Sequence, residues 1–116
     1  MLYRDLLFVC GNEDETRKAL LKYHDDKVVK EMLDGFSFNE RGWTVYDSEN
    51  NAFFVWMPCM PKTAQDIGFL VHELFHATYA VFGNLGSPLS DDNEELFAYI
   101  LGYVTEKTIE WVTSSV

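Results

Sequence analysis

The sequence predicts an α+β domain: a small antiparallel β-hairpin or sheet, an N-terminal helix and two packed C-terminal helices. Three observations predict it. Trp43–Tyr46 and Ala52–Met57 are rich in aromatic and β-branched residues and flank the turn-forming run Asp47-Ser48-Glu49-Asn50-Asn51, which is the signature of a hairpin. Ile67, Leu70, Val71, Leu74, Phe75 and Val81 recur at helical spacing between residues 63 and 82. Leu96, Phe97, Ile100, Leu101, Val104, Ile109 and Trp111 do the same in a stretch that runs to about Val112. With 116 residues, 47% of them hydrophobic and 16% aromatic, the chain suits one folded domain with a modest core.

Taken in order, Leu6–Val9 reads as a short strand or a buried apolar run, which periodicity does not separate at that length. Asn12 followed by Glu15 is a capping-box start for a helix from Glu13 to about Leu33, with Leu20, Tyr23, Val28 and Met32 toward the core and Gly35 at its end. His24-Asp25-Asp26 is the place where that helix would divide, and His24 reads as a lone surface histidine. After the hairpin, Pro58 and Pro61 end the strand, Thr63 caps the next helix and Gly83 follows it. Gly83-Asn84-Leu85-Gly86-Ser87-Pro88 is a loop, and a further helix begins near Ser90-Asp91-Asp92-Asn93-Glu94-Glu95.

The first of the two C-terminal helices carries His72-Glu73-Leu74-Phe75-His76. Positions i and i+4 of a helix share a face one turn apart, so two imidazoles placed there can grip one zinc ion. Glu73 projects beside that face, which makes it a poor third ligand and a good acceptor for the proton of a water held at the site. A catalytic zinc site takes three protein ligands and one open position. The short loop after residue 82 turns the last helix back antiparallel, and its first turn, with Glu94 and Glu95, falls near the histidines. Acidic residues in a first turn also suit the helix dipole, and Asp92 with Glu95 fits a capping box.

The His72–His76 run together with Glu95-Leu96-Phe97-Ala98-Tyr99 resembles the gluzincin metallopeptidases, the HExxH…E group, and in particular small HExxH proteins of phages and bacteria. The resemblance spans Thr63 to Tyr103. It implies a single minimal zincin-like domain over residues 1–116 whose two C-terminal helices carry the zinc site. The implied ligands are His72, His76 and Glu95, the last because Ala98 then stands at the family's small position; Asn93-Glu94 matches the Asn-Glu pair of thermolysin-like members and keeps Glu94 as an alternative. Tyr99 stands where those members have an aspartate that orients a histidine. The resemblance further implies that a strand edge just before the active-site helix holds an extended substrate, which points to Ala52, Phe53 and Phe54.

These readings combine into an expected zinc-dependent peptidase with Glu73 as general base and, ahead of Tyr79 and Tyr103, Tyr99 as the donor that stabilises the oxyanion. The expected alternative is a zinc-binding interaction protein that cleaves nothing, for example a phage protein engaging a host factor. The small size of the chain favours that alternative, and the retained Glu73 favours the enzyme. A net charge of −10 argues against nucleic acid and anionic membranes as partners, leaving a peptide or protein substrate. The sequence prescribes no oligomeric state. Cys10 and Cys59 form no CxxC pair and read as buried free thiols, with a disulfide between them as the alternative. Asp5 interrupts an N-terminal apolar run too short for a signal peptide, so a cytoplasmic protein is expected, in the host cytoplasm if phage-encoded.

Overall fold

The computed structural model describes residues 6–47, 49 and 52–114, with backbone alone at Leu6 and Ala52. The residues that precede Leu6, and Ser48, Asn50 and Asn51 of the expected turn, lie outside the described residues. The chain folds as β1 (Leu6–Cys10), α1 (Glu13–Leu21), α2 (Asp26–Met32), β2 (Trp43–Asp47), β3 (Ala52–Met57), α3 (Ala64–Asn84) and α4 (Glu94–Ser114).

The strands form one sheet in the order β1-β3-β2. β2 and β3 are antiparallel, from Trp43 opposite Trp56 to Asp47 opposite Ala52, as a hairpin requires. β1 is parallel to β3, from Leu6 beside Phe53 to Cys10 beside Met57. The sheet is therefore mixed, a correction to the antiparallel expectation. Its cause is topological: α1, α2 and β2 intervene between β1 and β3, and so long a connection permits the parallel pairing that a tight hairpin forbids.

Alternation along β3 divides the core in two. Phe53, Val55 and Met57 pack with Leu70, Leu74, Ala77 and Val81 of α3 and Val104 of α4. Phe54 and Trp56 point the other way and pack with Leu20, Val29 and Met32 of α1 and α2. The sheet is the middle layer between two helix pairs, and β3 is buried on both faces, which explains its unbroken apolar sequence.

Local chemistry sets the helix ends. The expected long N-terminal helix is two helices, divided at His24-Asp25-Asp26: Asp25 accepts from the Val28 N–H at 2.9 Å and caps α2. Tyr23, expected in the core, lies in this break and is exposed. Thr63 and Asp66 form a reciprocal capping box at the start of α3. The N–H groups of Lys62 and Thr63 hold the Asp66 carboxyl below its ordinary range. α3 runs through Gly83, where the sequence placed its stop. The terminator is Gly86, whose φ of +76° suits glycine and permits the paired bonds from Ser87 N–H to Phe82 O and from Gly86 N–H to Gly83 O. α4 starts at Glu94 rather than near Ser90. The Asn93 side chain holds the preceding loop instead, accepting from Ser90 N–H and donating to the carbonyls of Ser87 and Pro88. Among the described residues, no helix is long and apolar enough to cross a membrane.

Candidate metal centre

α3 lies against β2 and β3 with Leu70, Leu74, Ala77 and Val81 turned into the core. At about 100° per residue, that choice sends His72 and His76 to the outer face and Glu73 to the flank nearest β2. The His72 side chain is 64% exposed and that of Glu73 only 12%. The two Nε2 atoms stand 3.1 Å apart. Two nitrogens bound to one tetrahedral zinc at about 2.0–2.1 Å stand roughly 3.3 Å from each other, so the pair fits two coordination positions of that ion. The same spacing suits an N–H···N bond between the rings, with one ring protonated at Nε2.

Glu73 is held from the edge strand. Thr44 Oγ1 lies 2.7 Å from Glu73 Oε1 and 2.9 Å from the Glu73 carbonyl oxygen. A hydroxyl has one hydrogen to give, so these two acceptors share it. The other carboxylate oxygen, Oε2, lies 3.9 Å from His72 Nε2. Gly42 completes the seat: a Cβ there would stand 2.9 Å from Glu73 Cγ, inside contact distance. Gly42, just before the edge strand, and Thr44 and Tyr46 within it face Glu73, His76 and Ala80 across an open groove of about 410 Å³. Tyr46 stacks on Phe53 with ring centroids 4.7 Å apart and donates its hydroxyl to Asn84 Oδ1. Neither Thr44 nor Gly42 stood out in the sequence. The glycine directly before a strand was the visible signal, and its meaning depends on a helix residue far along the chain.

Thr44→Val keeps the β-branched shape and removes the donor. It is expected to cost about 1.5–3 kcal/mol, the range for a hydrogen bond to a charged group in a partly dry site. Urea unfolding checks this, and a loss below about 0.5 kcal/mol would show that water replaces the hydroxyl without penalty.

Two expected site residues are not brought here. Phe97 is the inward anchor of α4, packed against Phe75 and Phe82 at centroid distances of 5.3 and 5.0 Å. Residues two positions away on a helix point about 160–200° from it. Glu95 and Tyr99 are thereby both turned outward. They share a shallow concavity lined by α4 residues alone, with Ala98, Gly102, Tyr103 and Glu106, and Tyr99 is 69% exposed. Tyr99 is accordingly not a phenol of this groove; Tyr46 lines it, with its hydroxyl bonded to Asn84. Glu94, the alternative ligand, is exposed as well. Among the described residues, no group of three or more His, Cys, Asp or Glu side chains converges to hold a metal ion.

Family models, curated proteins and solved structures give no match to this chain.

The substrate strand also needs correction. β3 is the central strand, bonded to β1 on one side and to β2 on the other, so Phe53 and Phe54 present no open edge. Phe53 and Phe54 are buried, facing opposite helix layers, and the Ala52 backbone is paired with Asp47. The free edge beside the HExxH helix belongs to β2.

Proposed function

We propose that the chain is a zinc-dependent hydrolase of peptide bonds, with His72 and His76 holding the metal and Glu73 acting as general base. The observation that carries this reading is the paired geometry on α3: two Nε2 atoms 3.1 Å apart beside a nearly buried carboxylate fixed by Thr44. A histidine pair kept only for structure has no use for a carboxylate locked next to it.

Zinc, when bound, polarises a carbonyl and acidifies a water. The residues of the chain do the rest. Thr44 pins Oε1 and leaves Oε2 on the His72 side, where it takes a proton from the attacking water and returns it to the leaving amine. The outer edge of β2 offers main-chain groups to an extended peptide lying along the groove, which favours sequence-tolerant binding. Glu95 and Glu94, in the exposed first turn of α4, are not brought to the pair, so in this reading the remaining positions on the metal are left to water and substrate. The peptide or protein substrate is met in the cytoplasm.

A second reading is a zinc-binding interaction protein without catalysis. The absence of a converging third donor among the described residues favours it, because a two-histidine grip leaves positions for a ligand from another molecule. Zinc titration followed by a peptide-library cleavage screen separates the two. The expected result is uptake of one zinc per chain, weakened in His76→Ala by more than the 10–100-fold typical of losing an outer-shell partner, and little changed in Glu95→Ala and Glu94→Ala. Uptake with no cleavage across the library leaves the interaction reading. No zinc uptake by the parent protein removes both.

A further inference from the structure

The two cysteines of the chain lie at one end of the sheet. Cys10 is the last residue of β1 and sits beside Met57, the last residue of β3. The parallel ladder continues one step further, with the Gly11 N–H bonded to the Met57 carbonyl at 3.1 Å and the Trp56 Nε1–H bonded to the Gly11 carbonyl at 2.9 Å. Neighbouring strands lie about 4.8 Å apart, so Met57 stands that far across the ladder from Cys10, and Cys59 follows Met57 by two residues. Beyond Met57 the chain bends at Pro58 and Cys59, and Cys59 stays close enough to Cys10 to act on its thiol. Cys59 is exposed and Cys10 is half-buried, which corrects the expectation of two buried thiols. Burial raises the Cys10 thiol above its ordinary range, and the neighbouring Cys59 and Glu15 add to that rise.

We infer that Cys10 and Cys59 are a thiol pair that closes to an intramolecular disulfide under a small-molecule disulfide such as oxidised glutathione, tying the segment that leads into α3 to the end of β1. The bond joins residues far apart in sequence and anchors the chain four residues before Thr63, the cap of the helix that carries His72 and His76.

The chemistry balances in two exchanges. The exposed Cys59 thiolate attacks one sulfur of glutathione disulfide, forming a mixed disulfide and releasing one glutathione thiolate. The Cys10 thiolate then attacks the Cys59 sulfur, forming the protein disulfide and releasing the second glutathione. Two protein thiols are oxidised, one small disulfide is reduced, and both protons leave on the glutathione thiols. Burial holds back ionisation of the Cys10 thiol, so the second exchange quickens as pH rises.

The test uses the full chain in glutathione buffers of graded ratio, acid-quenched and mapped by mass spectrometry. The expected product is a peptide pair cross-linked between Cys10 and Cys59, with glutathione on Cys59 as its transient precursor. Folded protein should favour the cross-link over the same chain in urea by about tenfold or more, because the fold supplies the effective concentration. Cys59→Ser, at an exposed position, should abolish the cross-link and keep the fold. Stable glutathione on Cys59 with Cys10 still reduced would overturn the inference. So would a disulfide between chains, or equal cross-linking in the folded and urea-treated samples.

Discussion

Glu73→Gln is expected to leave zinc uptake intact and to lower peptide hydrolysis by about 10²–10⁴-fold, the range for losing a general base. The substitution is close to isosteric. The amide oxygen can still accept from Thr44, which lies 2.7 Å from Oε1, so the side chain should keep its seat beneath the edge strand. Its NH₂ group then occupies the place of Oε2, 3.9 Å from His72 Nε2, where it can donate a hydrogen bond but cannot take a proton. Stability should change little. The measurement pairs zinc titration with the initial rate on whichever library peptide the parent cleaves. A variant that cleaves at the parent rate would remove Glu73 from the chemistry and leave it as a packing residue of α3. A variant that loses zinc and activity together would show instead that the carboxylate supports the metal.

Local signals in the sequence were legible because they depend on a few neighbouring residues. The Asn12–Glu15 and Thr63–Asp66 capping boxes form as the residues require. The hairpin forms with Tyr46 opposite Phe53. The i, i+4 histidines fall on one exposed face of α3 because Leu70, Leu74 and Ala77 claim the opposite one. Long-range order was not legible. Nothing in Leu6–Cys10 states that it pairs with β3, and without that pairing β3 reads as an edge strand open to a peptide. The strand buried on both faces was nevertheless visible in Phe53-Phe54-Val55-Trp56-Met57, a continuous apolar run where a half-exposed edge would alternate.

The rotation of α4 shows the same limit at finer scale. Leu96 and Phe97 both read as core positions, yet they point about 100° apart and only one of them lies on the inward stripe. Phe97 is buried and Leu96 is 57% exposed. The four-residue and three-residue steps from Phe97 through Leu101, Val104 and Thr108 trace the true inward stripe, and that stripe determines where Glu95 points. A reading that fixed the stripe first would have placed Glu95 and Tyr99 on the outer face. Thr44 and Gly42 were hidden for a different reason: their role exists only after β2 has docked on α3.

Phe54→Ala is expected to cost about 3–5 kcal/mol of stability, as for a fully buried aromatic cut back to a methyl group. Phe54 has no exposed surface and lies in the α1–α2 layer beside Phe36, at a centroid distance of 5.9 Å. It is flanked by β1 on one side and β2 on the other, so the sheet cannot slide to fill the space left behind. Domains of this size have total stabilities of about 5–15 kcal/mol, and the loss would therefore bring the urea midpoint down by a large fraction or unfold the chain. The same substitution separates the two roles assigned to this strand. If Phe54 lined an open edge for substrate, truncation would raise KM and spare the unfolding midpoint. In a central strand the midpoint falls, and any cleavage that survives does so with its KM unchanged, because the groove beside Glu73 is walled by β2 and does not include Phe54.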